Sequence, residues 1–182
     1  MTKLRSAAEL MEPDSRSAGF VRVNRNGEVT SISIEHAEEL CGEIEASLTS
    51  GTPEKIRERV RVAKSLIVYA WFCYDFFAVS MFWSFSCMEM ALWAKYDEMK
   101  STERGVERYR SFKSLLNWAS KEHLLPVGIS PNAIAKMRNS MAHPKDFNIV
   151  IFPGAAFDVF ELLMNVLARL WPVEVESSTG KD

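Results

Sequence analysis

The chain has 182 residues, 47% hydrophobic and 25% charged, with 22 Lys and Arg against 24 Asp and Glu for a formal net charge of −2. That balance excludes a disordered or collagen-like chain and a protein that coats nucleic acid with its whole surface, while leaving room for a local basic site. A chain of this size buries roughly 70% of its unfolded surface, so one self-sufficient core is expected.

In chain order, residues 1–19 show no sustained periodicity, carry Pro13 and Gly19, and lack an apolar stretch of signal-peptide length. They read as a mobile arm on a cytoplasmic protein. The cysteines agree: Cys41, Cys73 and Cys87 form no CxxC pair, and an odd number leaves one outside any disulfide scheme. FVRVNRNGEVTSIS follows, two β-branched runs about Asn26-Gly27, a dipeptide suited to the type I′ turn of a hairpin. A lone hairpin is marginal, so it is expected to lie on the helical body.

From Ser33 the pattern turns helical. Ser33 is placed to N-cap IEHAEELCGEIEASL, where Ile34, Ala37, Cys41, Ile44 and Leu48 recur every three or four residues, and Gly51 ends it. Thr52-Pro53-Glu54 then supplies an N-cap, a proline at the first helical position and an acid in the first turn. Residues 53–99 exceed an ordinary globular helix, so two helices with a bend near Phe72–Phe77 are expected. Within them, the stretch between Lys64 and Lys95 is interrupted only by Asp75 and Glu89 and competes as a membrane span. Its longest uncharged run, Phe76 to Met88, falls short of about 20 spanning residues, which favours a buried core helix. Residues 100–110 are charged and read as a connection or a frayed helix.

SFKSLLNWASKEHLL is amphipathic, with Phe112, Leu115, Leu116 and Ala119 on one face, and Pro126 breaks it. Ser130-Pro131 opens a helix through NAIAKMRNSMAH, which Pro144 stops because the residue before proline avoids the α region. FNIVIF reads as a short extended link. The last helix, roughly Gly154 to Trp171, turns Phe157, Phe160, Leu163, Met164, Leu167 and Leu170 to the core. The reading is an all-α bundle of five to six helices: residues 1–33 form an arm with a small hairpin, 34–172 the bundle, and 173–182 a disordered tail.

There is no phosphate-binding glycine loop, nucleophile elbow or HExxH, and His36, His123 and His143 lie too far apart for metal-ligand spacing, so no metal or cofactor is expected. What remains is Arg138-Asn139-Ser140-Met141-Ala142-His143-Pro144. Asn139 and His143 share a helix face, Arg138 reaches the same region, and His143 lies in the last turn, where the helix dipole favours a cation. A titratable imidazole, a permanent guanidinium and an amide suit phosphodiester cleavage. RNA needs no metal for this, since its 2′-hydroxyl serves as nucleophile. The same spacing also fits a His that merely caps a helix.

Residues 136–145 carry Lys136, Arg138 and Lys145 with no acid, a local basic footprint suited to RNA backbone. Arg57, Arg59 and Arg61 read as a solvated face. Glu89, a carboxylate inside an apolar helix, calls for a partner: Arg138, His143 or another base. Asp75 reads as structural. The aromatic cluster WFCYDFFAVSMFWSF fits core or interface better than base stacking.

The RN-x3-HP segment resembles the R-x4–6-H signature of HEPN domains, in which a polar residue, often Asn, follows the Arg. The order of an apolar helix ending FWSFSCMEMALWAKY, then SFKSLLNWASKEHLLP, the motif helix and a final apolar helix also resembles bacterial HEPN proteins, over residues 53–171. The resemblance implies a metal-independent endoribonuclease of toxin–antitoxin or other defence systems, dimeric, with the two motifs in one cleft. It implies Arg138 and His143 as the catalytic pair, Asn139 and Glu89 in support, and an antitoxin or regulatory partner. Residues 1–33 match no HEPN feature. Two alternatives stay open: a non-catalytic HEPN-like module that binds a nucleotide, RNA or a protein, and a membrane-anchored helical protein.

Overall fold

The computed structural model describes residues 6, 8–17, 19–23, 26–100, 111–143 and 152–172. A single 3₁₀ turn, Glu9–Met11, precedes two strands, β1 (Val21–Val23) and β2 (Val29–Ser31). Six helices follow: α1 (Ile34–Glu45), α2 (Glu54–Tyr69), α3 (Phe76–Lys100), α4 (Phe112–Lys121), α5 (Pro131–Ala142) and α6 (Pro153–Leu170). The fold is an all-α bundle with a hairpin appended. The expected connection at 100–110 beyond Lys100, most of the FNIVIF link, Pro144, Lys145 and the tail from Val173 lie outside the described residues.

Serines start three of the helices. Ser33 Oγ accepts the His36 N–H at 3.5 Å while the Ser33 N–H donates to His36 Nδ1 at 3.3 Å, a capping box with histidine in the usual place of glutamate. Ser111 and Ser130 accept the N–H groups of Ser114 and Ala133, and Pro131 takes the first helical position of α5. Thr52 does not cap α2 as expected. Pro53 holds the N-cap position with no side-chain bond, and Thr52 is buried with its hydroxyl near that of Thr49.

The hairpin pairs Val21 with Ser31 and Val23 with Val29, antiparallel. Five residues therefore connect the strands, so the tight type I′ turn is not formed. Gly27 takes a positive φ of 80°, whereas among the described non-glycine residues only His123 has positive φ. A two-residue type I′ turn would need Asn26 there as well.

At the centre α3 packs on α2 and α6, with α1 against α2 and α6, and with α4 and α5 against α3 and each other. Phe85, Met88 and Leu92 of α3 are fully buried with Leu163, Met164 and Leu167 of α6 and Val60 and Ile67 of α2. Burying side chains of this kind contributes about 1.5–3 kcal/mol each before the entropy cost. α3 is long and apolar enough to cross a membrane by length and composition, and half of that stretch is buried inside the bundle. The cysteines are free: Cys41 and Cys87 lie in the core, and Cys73 is half-buried between α2 and α3.

That α2–α3 break, residues 70–75, contains neither Gly nor Pro, the usual reasons for a helix to stop. Asp14, Arg16 and Ser17, in the segment read from sequence as a mobile arm, dock there and take up the backbone groups the break exposes. Trp71 O accepts the Asp14 N–H at 2.9 Å, Ala70 O accepts the Ser17 hydroxyl at 3.1 Å, and Asp14 Oδ2 accepts the Tyr74 N–H at 3.2 Å. Arg16 closes the clasp, donating to both Asp14 oxygens and to Asp75, with its guanidinium 4.5 Å from the Tyr74 ring centroid. Phe20 packs beside Tyr74 and Phe77. Satisfying buried carbonyls and amides in this way makes the break tolerable without a special residue. Asp75, read as structural from sequence, serves here.

Candidate functional site

α5 lies against α3 and α4, and the start of α5 is fixed by Ser130-Pro131, which sets the angular position of everything after it. Arg138 consequently points across the helix junction rather than into open solvent. Its Nη2 donates to Glu89 Oε2 on α3 at 2.8 Å, and its Nη1 to Asn139 Oδ1 at 3.3 Å. The guanidinium carbon sits 5.8 Å from the ring centroid of Phe112, the first residue of α4, within cation–π range. Three helices thus meet at one cation.

The Arg138 and Glu89 side chains are 25% and 26% exposed, so the pair is sheltered but reachable. The inner edge of the guanidinium is less well served. Its Nε is buried and has no acceptor. A charged group normally binds acceptors along its whole fork, and an unmet buried N–H costs about 1–3 kcal/mol. That N–H is sealed from solvent as well as from acceptors, so what Arg138 offers an anion is confined to the exposed quarter of its side chain.

His143 follows where α5 stops. The helix ends at Ala142, and His143 takes φ −133° and ψ 66°, outside the helical region, as a residue before proline is expected to do. Its backbone N–H closes the last turn on Asn139 O at 2.9 Å. Capping is done by the main chain, so the imidazole is left exposed, and no described residue hydrogen-bonds it. Asn139 is exposed and links the two positions, through Oδ1 to Arg138 and through its carbonyl to His143.

Of the residues singled out from sequence, Glu89, Arg138, Asn139 and His143 come together around the end of α5. Lys136 is exposed two residues before Arg138, and its carbonyl accepts the Ser140 hydroxyl. Lys145 lies outside the described residues. Asp75 stands apart, about 20 Å along α3 from Glu89 at helical rise. Arg57 bonds the carbonyls of Thr52 and Ser50, Arg61 pairs with Glu54, and Arg59 stacks on Trp83, so this basic run serves the α2 surface. His36 is occupied as a cap, and among the described residues no group of three His, Cys, Asp or Glu side chains is arranged to hold a metal ion.

Sequence reasoning missed Phe112 as the platform under Arg138. Its only signal was position: the first apolar residue after the Ser111 cap, on the helix that precedes the motif. The arrangement offers a fixed, partly exposed cation and an exposed imidazole about one turn away, which is the equipment for binding an anionic oxygen and moving a proton beside it. Comparison of the chain with protein-family models, curated proteins and solved structures returns no match.

Proposed function

We propose that the protein is a metal-independent endoribonuclease of HEPN type, acting in the cytoplasm in a toxin–antitoxin or defence setting. The observation that carries this reading is the pairing of Arg138, held by Glu89 and Phe112 and partly exposed, with the exposed His143 imidazole at the end of the same helix. Arg138 holds the non-bridging oxygens of the scissile phosphate and stabilises the charge that builds on them. The 2′-hydroxyl attacks phosphorus as His143 accepts its proton, the P–O5′ bond breaks, and the leaving oxygen takes a proton. The products are a 2′,3′-cyclic phosphate and a 5′-hydroxyl. Attack and departure need a base and an acid, and a homodimer that places two copies of the motif in one cleft supplies both. Lys136 and Lys145 add backbone contacts to the RNA.

A non-catalytic HEPN-like binding module is the second reading, and the Glu89 contact favours it, because that carboxylate already occupies part of Arg138. RNA cleavage in EDTA by the unsubstituted chain, Arg138→Ala and His143→Ala separates the two. The nuclease reading expects cleavage that both substitutions abolish. Equal cleavage by all three removes it, and RNA binding without turnover establishes the module.

A further inference from the structure

Away from the motif, α1 and α6 leave between them a groove of about 430 Å³. Its floor is apolar and half-buried, formed by Leu40 and Ile44 of α1 with Phe157 of α6. Its rim is acidic, with Glu43 on one side and Asp158 and Glu161 on the other, all exposed. No Lys or Arg lines it, and none of the three acids forms an ion pair or hydrogen bond with a described residue. The surroundings deepen the sign of the charge: α1 contains five glutamates and no Lys or Arg.

Glu43 is the informative member. It lies in the last turn of α1, where the helix dipole disfavours an anion, and α1 has no basic residue in that turn. Its neighbour Glu45 is neutralised by Lys64 of α2 at 2.7 Å. Glu43 has no such relief. Glu43 is thus an exposed carboxylate beside apolar surface with no counter-ion among the described residues, so a cation brought to the groove meets an unshared charge.

We propose that the α1–α6 groove docks a basic amphipathic helix of a partner protein. The groove runs over about two helical turns, about 12 Å, which fits apolar anchors at positions i, i+3 or i+4, and i+7 of an incoming helix. Apolar side chains of that helix lie on Leu40, Ile44 and Phe157, and flanking Lys or Arg reach Glu43, Asp158 and Glu161. Charge complementarity selects this occupant over an acidic or neutral one. The inference stands independently of the nuclease reading, since it uses none of the same residues.

The test uses the full chain and a fluorescein-labelled synthetic 18-residue helix with Leu at the anchor spacing and Lys elsewhere, followed by fluorescence anisotropy. A matched peptide with Glu in place of Lys serves as the control ligand. Binding of the Lys peptide should fall at least tenfold on the exchange Glu43→Lys with Glu161→Lys. It should change less than twofold on Glu58→Lys with Asp97→Lys, which alters net charge equally at exposed sites off the groove. Equal weakening by both exchanges, no weakening by either, or equal affinity for the Glu peptide overturns the proposal. So does sedimentation showing self-association that the groove exchange abolishes, because the occupant is then a second copy. If the exchanged chain does not fold, hydrogen exchange on the unsubstituted chain decides: the Lys peptide should protect amides of α1 and α6 selectively, and protection elsewhere overturns the proposal.

Discussion

Two arginines in this molecule meet carboxylates, and the contrast between them separates architecture from chemistry. At the α2–α3 break, Asp14 accepts four hydrogen bonds, three from Arg16 and one from the Tyr74 N–H, and is only 5% exposed. The Arg16 side chain beside Asp14 holds its carboxyl well below the usual carboxylate range, and the guanidinium is raised in turn. At the end of α5, Arg138 makes one bond to Glu89 and one to Asn139, rests on an aromatic ring and leaves its buried Nε–H unfilled. In the first constellation the buried carboxylate is fully engaged and the cation's Nε–H is met. The second is held in place yet chemically incomplete.

The sharpest break of that contrast is functional. Arg138→Ala and His143→Ala should each lower RNA cleavage by about 10²- to 10⁴-fold while moving thermal stability little, a combination read by parallel activity and melting measurements. A large loss of stability with either substitution would make the site a second clasp.

Asp14→Ala should do the reverse, costing about 2 kcal/mol in chemical denaturation by orphaning the Tyr74 N–H and releasing Arg16, with the cleavage rate per folded molecule unchanged. The clasp also has a direction in pH. Because the folded carboxyl titrates below its ordinary value of 3.8, its stabilisation is complete above that value and is lost as pH falls from there through the lower folded value. The stability gap between the unsubstituted chain and Asp14→Asn should therefore be constant near neutrality and shrink on acidification below pH 3.8.

Ser130→Ala removes the cap that orients α5 and should cost about 1 kcal/mol in the same denaturation assay, a local rather than chemical effect. The smallest expected change is the most discriminating. Glu89→Gln keeps an oxygen for Arg138 but removes the competing charge, so stability should move by less than about 1 kcal/mol and RNA affinity should rise a few-fold. A fall in affinity would show that Glu89 positions the guanidinium rather than masks it.

What could be read in advance followed the range of the interactions involved. The serine starts of α1 and α5, the stop before Pro144 and the helical spacing of α6 depend on neighbours within four residues, and all are visible in a linear chain. Glu89 was half legible: an acid within an apolar helix demands a counter-ion, but which base answers depends on the packing of α3 against α5. The clasp was not legible. Asp14 and Tyr74 are 60 residues apart, and a polar, irregular segment offers no periodicity to mark it as docked. The same holds for the hairpin turn, where Asn26-Gly27 signalled a reversal but strand register placed five residues in it.

The three free thiols grade the bundle by depth. Burial pushes the Cys41 and Cys87 thiols up to about 12, so near neutrality their thiolate fraction is on the order of one in 10⁵, and alkylation waits on rupture of the bundle. Cys73 lies in the break that Asp14 and Arg16 grip, outside the fully buried core. Half-buried, it is open to labelling without rupture of the bundle. The rate at Cys73 thus reports the break itself and the rates at Cys41 and Cys87 time global opening, two depths resolved in one chain without adding a probe.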